Sequence, residues 1–139
     1  DSITTGPSHA SYANYKGTGA LSEPESKALA NLANSRNWTM TISYHSMGNL
    51  VYWDFAGNKV AEQSKAIAEL VTGITGYRTN GSSGKGGFKD YVQIKDSPIP
   101  SLTIEVGSVA CPLPLSEFDK VWKQNKAVWV QAMKFVATK

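Results

Sequence analysis

The stretch Trp38-Thr39-Met40-Thr41-Ile42-Ser43-Tyr44-His45-Ser46-Met47-Gly48 decides the fold. Met40, Ile42 and Tyr44 alternate with Thr39, Thr41, Ser43 and His45, the period-two pattern of a strand whose side chains point to opposite faces. The strand ends on an ionisable residue and then turns at Ser46-Met47-Gly48. The same pattern returns in Ser101-Leu102-Thr103-Ile104-Glu105-Val106-Gly107. There Leu102, Ile104 and Val106 share one face, and Thr103 and Glu105 the other. Pro98 and Pro100 cannot donate to a ladder, so the approach stays outside the sheet.

Around these two strands the pattern is mixed. Ser22-Glu23-Pro24-Glu25 reads as a helix start, with Ser22 as cap, Glu25 returning the capping-box bond, and early acids suiting the helix N-terminus. Leu29, Leu32 and Ala33 form its apolar face, and the helix fades by 34–36. Asn49–Trp53 reads as a second strand, and Val60, Ile67, Leu70 and Val71 mark a helix over 58–74. Thr79 to Gly87 is a glycine-rich loop; it lacks the spacing and the Ser/Thr of a phosphate loop. Ser116-Glu117-Phe118-Asp119 starts a long C-terminal helix, with Phe118, Trp122, Trp129 and Met133 on one stripe. Residues 1–21 read as an extended arm. Three helices and at least three strands make the chain α/β, a single domain over 1–139.

Composition bounds the function. At 139 residues and 41% hydrophobic content the chain can build a core. Fourteen Lys and Arg against eleven Asp and Glu give a net charge of +3. No basic run is interleaved with aromatics, which argues against nucleic acid. A basic balance suits an anionic polymer such as a cell wall. No apolar run approaches the roughly 20 residues of a membrane helix. Asp1-Ser2-Ile3-Thr4-Thr5 is polar, unlike a signal peptide. The single cysteine, Cys111, excludes an internal disulfide and reads as a small buried residue before Pro112.

Two residues stand out chemically. A histidine at a strand end of an α/β fold lies where ligands bind; the alternative for His45 is a histidine hydrogen-bonded in its turn. Glu105 interrupts an apolar strand, and a buried carboxylate is costly unless paired or functional; the alternative is a strand face open to water. His9, the other histidine, falls in the arm.

Five segments occur in order: Tyr15-Lys16-Gly17, Leu21-Ser22-Glu23-Pro24-Glu25, Ile42-Ser43-Tyr44-His45-Ser46, Gly86-Gly87-Phe88-Lys89-Asp90-Tyr91 and Thr103-Ile104-Glu105-Val106-Gly107. Over about residues 10–137 the chain resembles the C-terminal half of a zinc carboxypeptidase of the carboxypeptidase A type. The resemblance implies a mixed β-sheet flanked by helices, without the N-terminal strands of that fold. It implies that His45 is one ligand of a single zinc ion and that Glu105 is general base and acid. Catalytic zinc keeps three protein ligands and an open position for water, whose pKa it lowers. The resemblance places Ser46 and Met47 against the substrate. It also puts Lys89 in the pocket for the residue after the scissile bond, where it could pair with the extra carboxylate of meso-diaminopimelate. Val109-Ala110-Cys111-Pro112-Leu113-Pro114-Leu115-Ser116-Glu117-Phe118 resembles a stretch of bacterial peptidases that cut between γ-D-glutamate and a diamino acid in peptidoglycan. That implies a peptidoglycan-derived peptide as substrate and an extracellular or wall-associated setting.

The family's other parts are not in the sequence. No His-x-x-Glu pair supplies the remaining zinc ligands, and His9 is followed at that spacing by Tyr12. The arginine and Asn-Arg pair that hold a substrate carboxylate are missing too. No tyrosine stands near Ser82, where the family's loop tyrosine belongs; Tyr77, several residues earlier, reads as a packing residue. The expectation is a chain inactive by itself. A non-catalytic wall-binding module and a carboxypeptidase trimming C-termini are the alternatives. The missing strands would leave the edge over Trp38–Tyr44 open, so the chain is expected to dimerise or associate there.

Overall fold

The computed structural model describes residues 7, 9–11, 15, 17–82 and 86–138. Most of the 1–21 arm and the centre of the glycine loop lie outside them. The chain is α/β, a mixed four-stranded sheet flanked by helices. Its strands are β1 (Thr41–His45), β2 (Leu50–Tyr52), β3 (Arg78–Asn80) and β4 (Ser101–Glu105), in the order β1-β4-β2-β3. β1 runs parallel to β4, β2 antiparallel to β4, and β3 parallel to β2.

The helices are α1 (Pro24–Asn34), α2 (Ala61–Thr75), α3 (Phe88–Ile94), α4 (Phe118–Asn125) and α5 (Val128–Ala137). The main core forms where α2 and α5 cover the sheet. Leu102 and Ile104 of β4 and Val51 of β2 are fully buried there with Ala68, Val71, Val128 and Ala132. A smaller core joins α1 and α3 through Ala33, Val92 and Ile99, with Trp38, Phe88 and Tyr91 packed on it.

Several local expectations are corrected. Glu23, not Ser22, precedes α1, which starts on Pro24 and has no side-chain cap. The Ser22 hydroxyl instead donates to Glu23 Oε1 and accepts from the Thr18 amide, so it closes the preceding turn. On α1 the buried residues are Ala30 and Ala33, while Leu29 and Leu32 are exposed. The long C-terminal helix is two helices, α4 and α5, entered through a 3-10 turn at Leu115–Glu117 without a side-chain cap. Its aromatic stripe is not core: Phe118, Trp122, Trp129 and Met133 are 58%, 57%, 42% and 51% exposed. Cys111 is exposed too and lies against the turn after β1, with Sγ 3.6 Å from Ser46 Oγ. β3 and α3 are additions to the elements expected from the sequence.

Candidate active site

His45 and Glu105 close the two parallel strands β1 and β4 side by side. They are register partners at the C-terminal ends of β1 and β4. Partners in register share a face, and neighbouring strands lie roughly 4.8 Å apart. The pairing continues one residue further, where the Val106 amide donates to the His45 carbonyl at 2.8 Å. At the other end of the strands the Thr41 and Ser101 hydroxyls meet at 2.6 Å on that same face.

The turn after His45 is fastened to the exit of β4. Gly48 and Asn49 amides both donate to the Gly107 carbonyl, at 2.7 and 3.0 Å. Gly107 has φ +68°, and a Cβ there would lie 2.6 Å from Leu113 Cδ2, so only glycine fits. Gly48 passes close to the carboxylate residue; a Cβ on it would sit 3.5 Å from Glu105 Cβ. This brings Ser46 and Met47 onto the rim beside His45, with Met47 exposed and Ser46 half-buried.

His45 is exposed and Glu105 half-buried. A strand face open to water does not describe Glu105 fully. Its Oε2 is buried and has no hydrogen-bond partner among the described residues. An unpaired buried carboxylate oxygen is costly, and such sites normally take a ligand, a proton or an ion. Tyr44, beside His45 in sequence, has its phenol pKa raised above the usual 10.0, first by burial and then by Tyr77.

Lys89 is not a solvated lysine. Its side chain is 3% exposed and forms an ion pair with Asp90. Its ammonium also donates to the Asp54 carbonyl at 2.7 Å and reaches Gln93 Oε1 at 3.4 Å. Gln93, which no sequence pattern singles out, is fully buried. Its Nε2 donates to the carbonyls of Trp53 and Ser101, both at 2.8 Å, and lies 3.2 Å from the Ser64 hydroxyl. α3 is thereby tied to the end of β2, the start of β4 and the start of α2. The only signal in the sequence was the polar set Lys89, Asp90 and Gln93 within a short segment. Tyr77 is a packing residue as expected: it is buried, donates to Gln124 Oε1 and accepts from Asn125 Nδ2.

Comparison with known proteins gives the class. The zinc carboxypeptidase family model matches residues 4–128, and the chain belongs to that family of peptidases. It is 32% identical over 120 residues to the gamma-D-glutamyl-L-diamino acid endopeptidase 1 of Lysinibacillus sphaericus, covering 86% of this chain and 30% of that protein. It is 25% identical over 131 residues to the uncharacterized protein YqgT of Bacillus subtilis (strain 168), covering 93% of this chain and 35% of that protein. The chain therefore spans about a third of the length of the curated relatives it matches.

The family implies zinc, and the residues described do not complete a site for it. Among the described residues no group of three or more His, Cys, Asp and Glu could hold a metal ion. His45 offers one donor, where catalytic zinc needs three from the protein. No helix among the described residues is long and apolar enough to cross a membrane.

Proposed function

We propose that this chain carries the C-terminal half of a zinc peptidase site that hydrolyses the γ-D-glutamyl–diamino acid bond of peptidoglycan peptides. In this reading His45 is one zinc ligand and Glu105 the general base and acid. The observation that carries it is the pairing of His45 with Glu105 at adjacent strand ends, with Glu105 Oε2 buried and unpartnered. The name of the Lysinibacillus sphaericus relative supplies the bond. An extracellular or wall-associated setting follows from that substrate.

Zinc, when bound in an intact enzyme, polarises the scissile carbonyl and acidifies water. The residues of this chain do the rest of their half. His45 presents its imidazole at the open end of β1. Glu105 is held by β4 on the same face, with one oxygen free to take a proton from the attacking water and pass it to the leaving amine. Ser46 and Met47 line the rim where the substrate backbone passes. Lys89 is buried against Asp90, on a helix tied to the Ser101 end of β4, so a second substrate carboxylate would reach its ammonium only by displacing Asp90.

Among the described residues no further donors join His45 in a group that could hold a metal, so in this reading the chain is inactive alone. The test is hydrolysis of a γ-D-glutamyl–diaminopimelate peptide by the full-length gene product with zinc, beside its His45→Ala and Glu105→Gln variants. Turnover lost in both variants supports the reading. Full activity in either overturns that residue's role, and no turnover by the full-length product favours a wall-binding module that kept only the fold. A requirement for a free C-terminal carboxylate next to the cut bond favours a carboxypeptidase.

A further inference from the structure

The segment from Gly107 to Leu113 folds back over the turn that follows His45. Gly107 reverses it with φ +68°, and Leu113 packs so closely that a Cβ on Gly107 would meet its Cδ2 at 2.6 Å. The Gly107 carbonyl accepts the Gly48 and Asn49 amides. With both ends of the contact fixed in this way, the Cys111 thiol comes to rest on Ser46, across 65 residues of chain.

The contact is double. Cys111 Sγ lies 3.6 Å from the Ser46 hydroxyl oxygen and 3.6 Å from the Ser46 carbonyl oxygen. A thiol has one proton to give and a sulfur that accepts weakly. The carbonyl can only accept, so the thiol proton goes there. The hydroxyl can donate or accept, so towards the sulfur it is left to donate. Its proton is thereby committed to Cys111, and its lone pairs are what remain for a molecule arriving at the rim. Ser46 is half-buried between two exposed residues, His45 and Met47.

We propose that Cys111 is a positioning residue for Ser46: it holds the hydroxyl proton on its sulfur, so that Ser46 accepts a hydrogen bond from a backbone N–H of the substrate peptide. The inference rests on the peptidase reading above, in which Ser46 lines the path of the substrate backbone. A peptide backbone carries N–H donors that need acceptors wherever water is displaced. An acceptor oriented in advance has less freedom to lose on binding. Neither Cys111 nor Ser46 holds metal or moves a proton in that reading, so the effect falls on substrate binding.

Two measurements on the full-length gene product test it. The first uses no substrate. Subtracting the Raman spectrum of Cys111→Ala from that of the parent isolates the Cys111 S–H band. The same subtraction in a Ser46→Ala background should place that band at a different frequency. The second is a double-mutant cycle on hydrolysis of a γ-D-glutamyl–diaminopimelate peptide. Cys111→Ala and Ser46→Ala should each raise KM by about 3–10-fold, the effect of one net hydrogen bond, with kcat, bound zinc and melting temperature unchanged. The double variant should bind no worse than Ser46→Ala alone. An unmoved S–H band overturns the proposal. So do losses that multiply in the double variant, a Cys111→Ala KM equal to that of the parent, or a loss confined to kcat or to melting temperature. Failure of the peptidase reading shows differently, as a parent that turns over no peptide while its S–H band still answers to Ser46; the substrate role of Ser46 then falls with it.

Discussion

His45 and Glu105 are register partners on adjacent parallel strands, so one hydrogen-bonded ladder sets the position of both side chains. Their proposed roles differ, and so should their substitutions. In the full-length product Glu105→Gln should cut turnover by about 10²–10⁴-fold, the usual contribution of a general acid–base. Bound zinc, measured by metal analysis, should not change. His45→Ala should lower both turnover and zinc content. Equal zinc loss in the two variants would contradict the division of labour.

The Lys89–Asp90 pair should be asymmetric in its response. Both side chains are buried, at 3% and 6% exposure. Asp90→Ala leaves an uncompensated ammonium in the interior and should cost about 3–5 kcal/mol of unfolding free energy. Lys89→Met with Asp90→Asn, which removes both charges, should cost less than either single change. Chemical denaturation of the parent, Asp90→Ala, Lys89→Met, Asp90→Asn and the double variant checks this. In the full-length product, Lys89→Ala should also weaken the preference for diaminopimelate over lysine; an unchanged preference removes Lys89 from substrate recognition.

Gln93 should matter more than its type suggests. Replacing it with Leu would leave the Trp53 and Ser101 carbonyls without their donor. Each buried polar group stranded in this way costs about 1–3 kcal/mol. The midpoint of urea unfolding should therefore fall sharply for Gln93→Leu and less for Ser64→Ala, which removes one hydroxyl.

Tyr44 supplies a pH dependence. Burial, then Tyr77, raises its folded pKa above the ordinary 10.0. Above pH 10.0 the unfolded chain loses this proton first, so the folded state binds more protons than the unfolded one. Its contribution to stability is thus complete below that pH and is lost as pH rises through the folded pKa. Unfolding midpoints at pH 8 and pH 11, used as roughly bracketing values, should differ less in Tyr44→Phe than in the parent chain. An identical difference would show that Tyr44 is not the group responsible.

β1 and β4 were legible because alternation survives there: Ile42 and Tyr44 in β1, Leu102 and Ile104 in β4. Helix α2 was legible from Val60, Ile67, Leu70 and Val71. β3 was not, because Arg78, Thr79 and Asn80 are all exposed at the sheet edge and no apolar face marks them. α3 was hidden for the opposite reason. It buries Lys89, Asp90 and Gln93, residue types that pattern reading assigns to the surface. The apolar stripe Phe118, Trp122, Trp129 and Met133 was legible from its spacing, and its exposure was not. Periodicity shows which side chains share a face, not what covers that face. The candidate site was legible as two polar residues at strand ends. That they are neighbours is a fact of sheet order, which places β4 beside β1 across sixty residues of chain.

The central claim is that this chain holds half of a catalytic site. The most direct test assays the purified 139-residue chain, with zinc added, on a γ-D-glutamyl–diaminopimelate peptide, beside the full-length gene product. The account predicts turnover by the full-length product and none by the 139-residue chain. Turnover by the 139-residue chain at a comparable rate would contradict it.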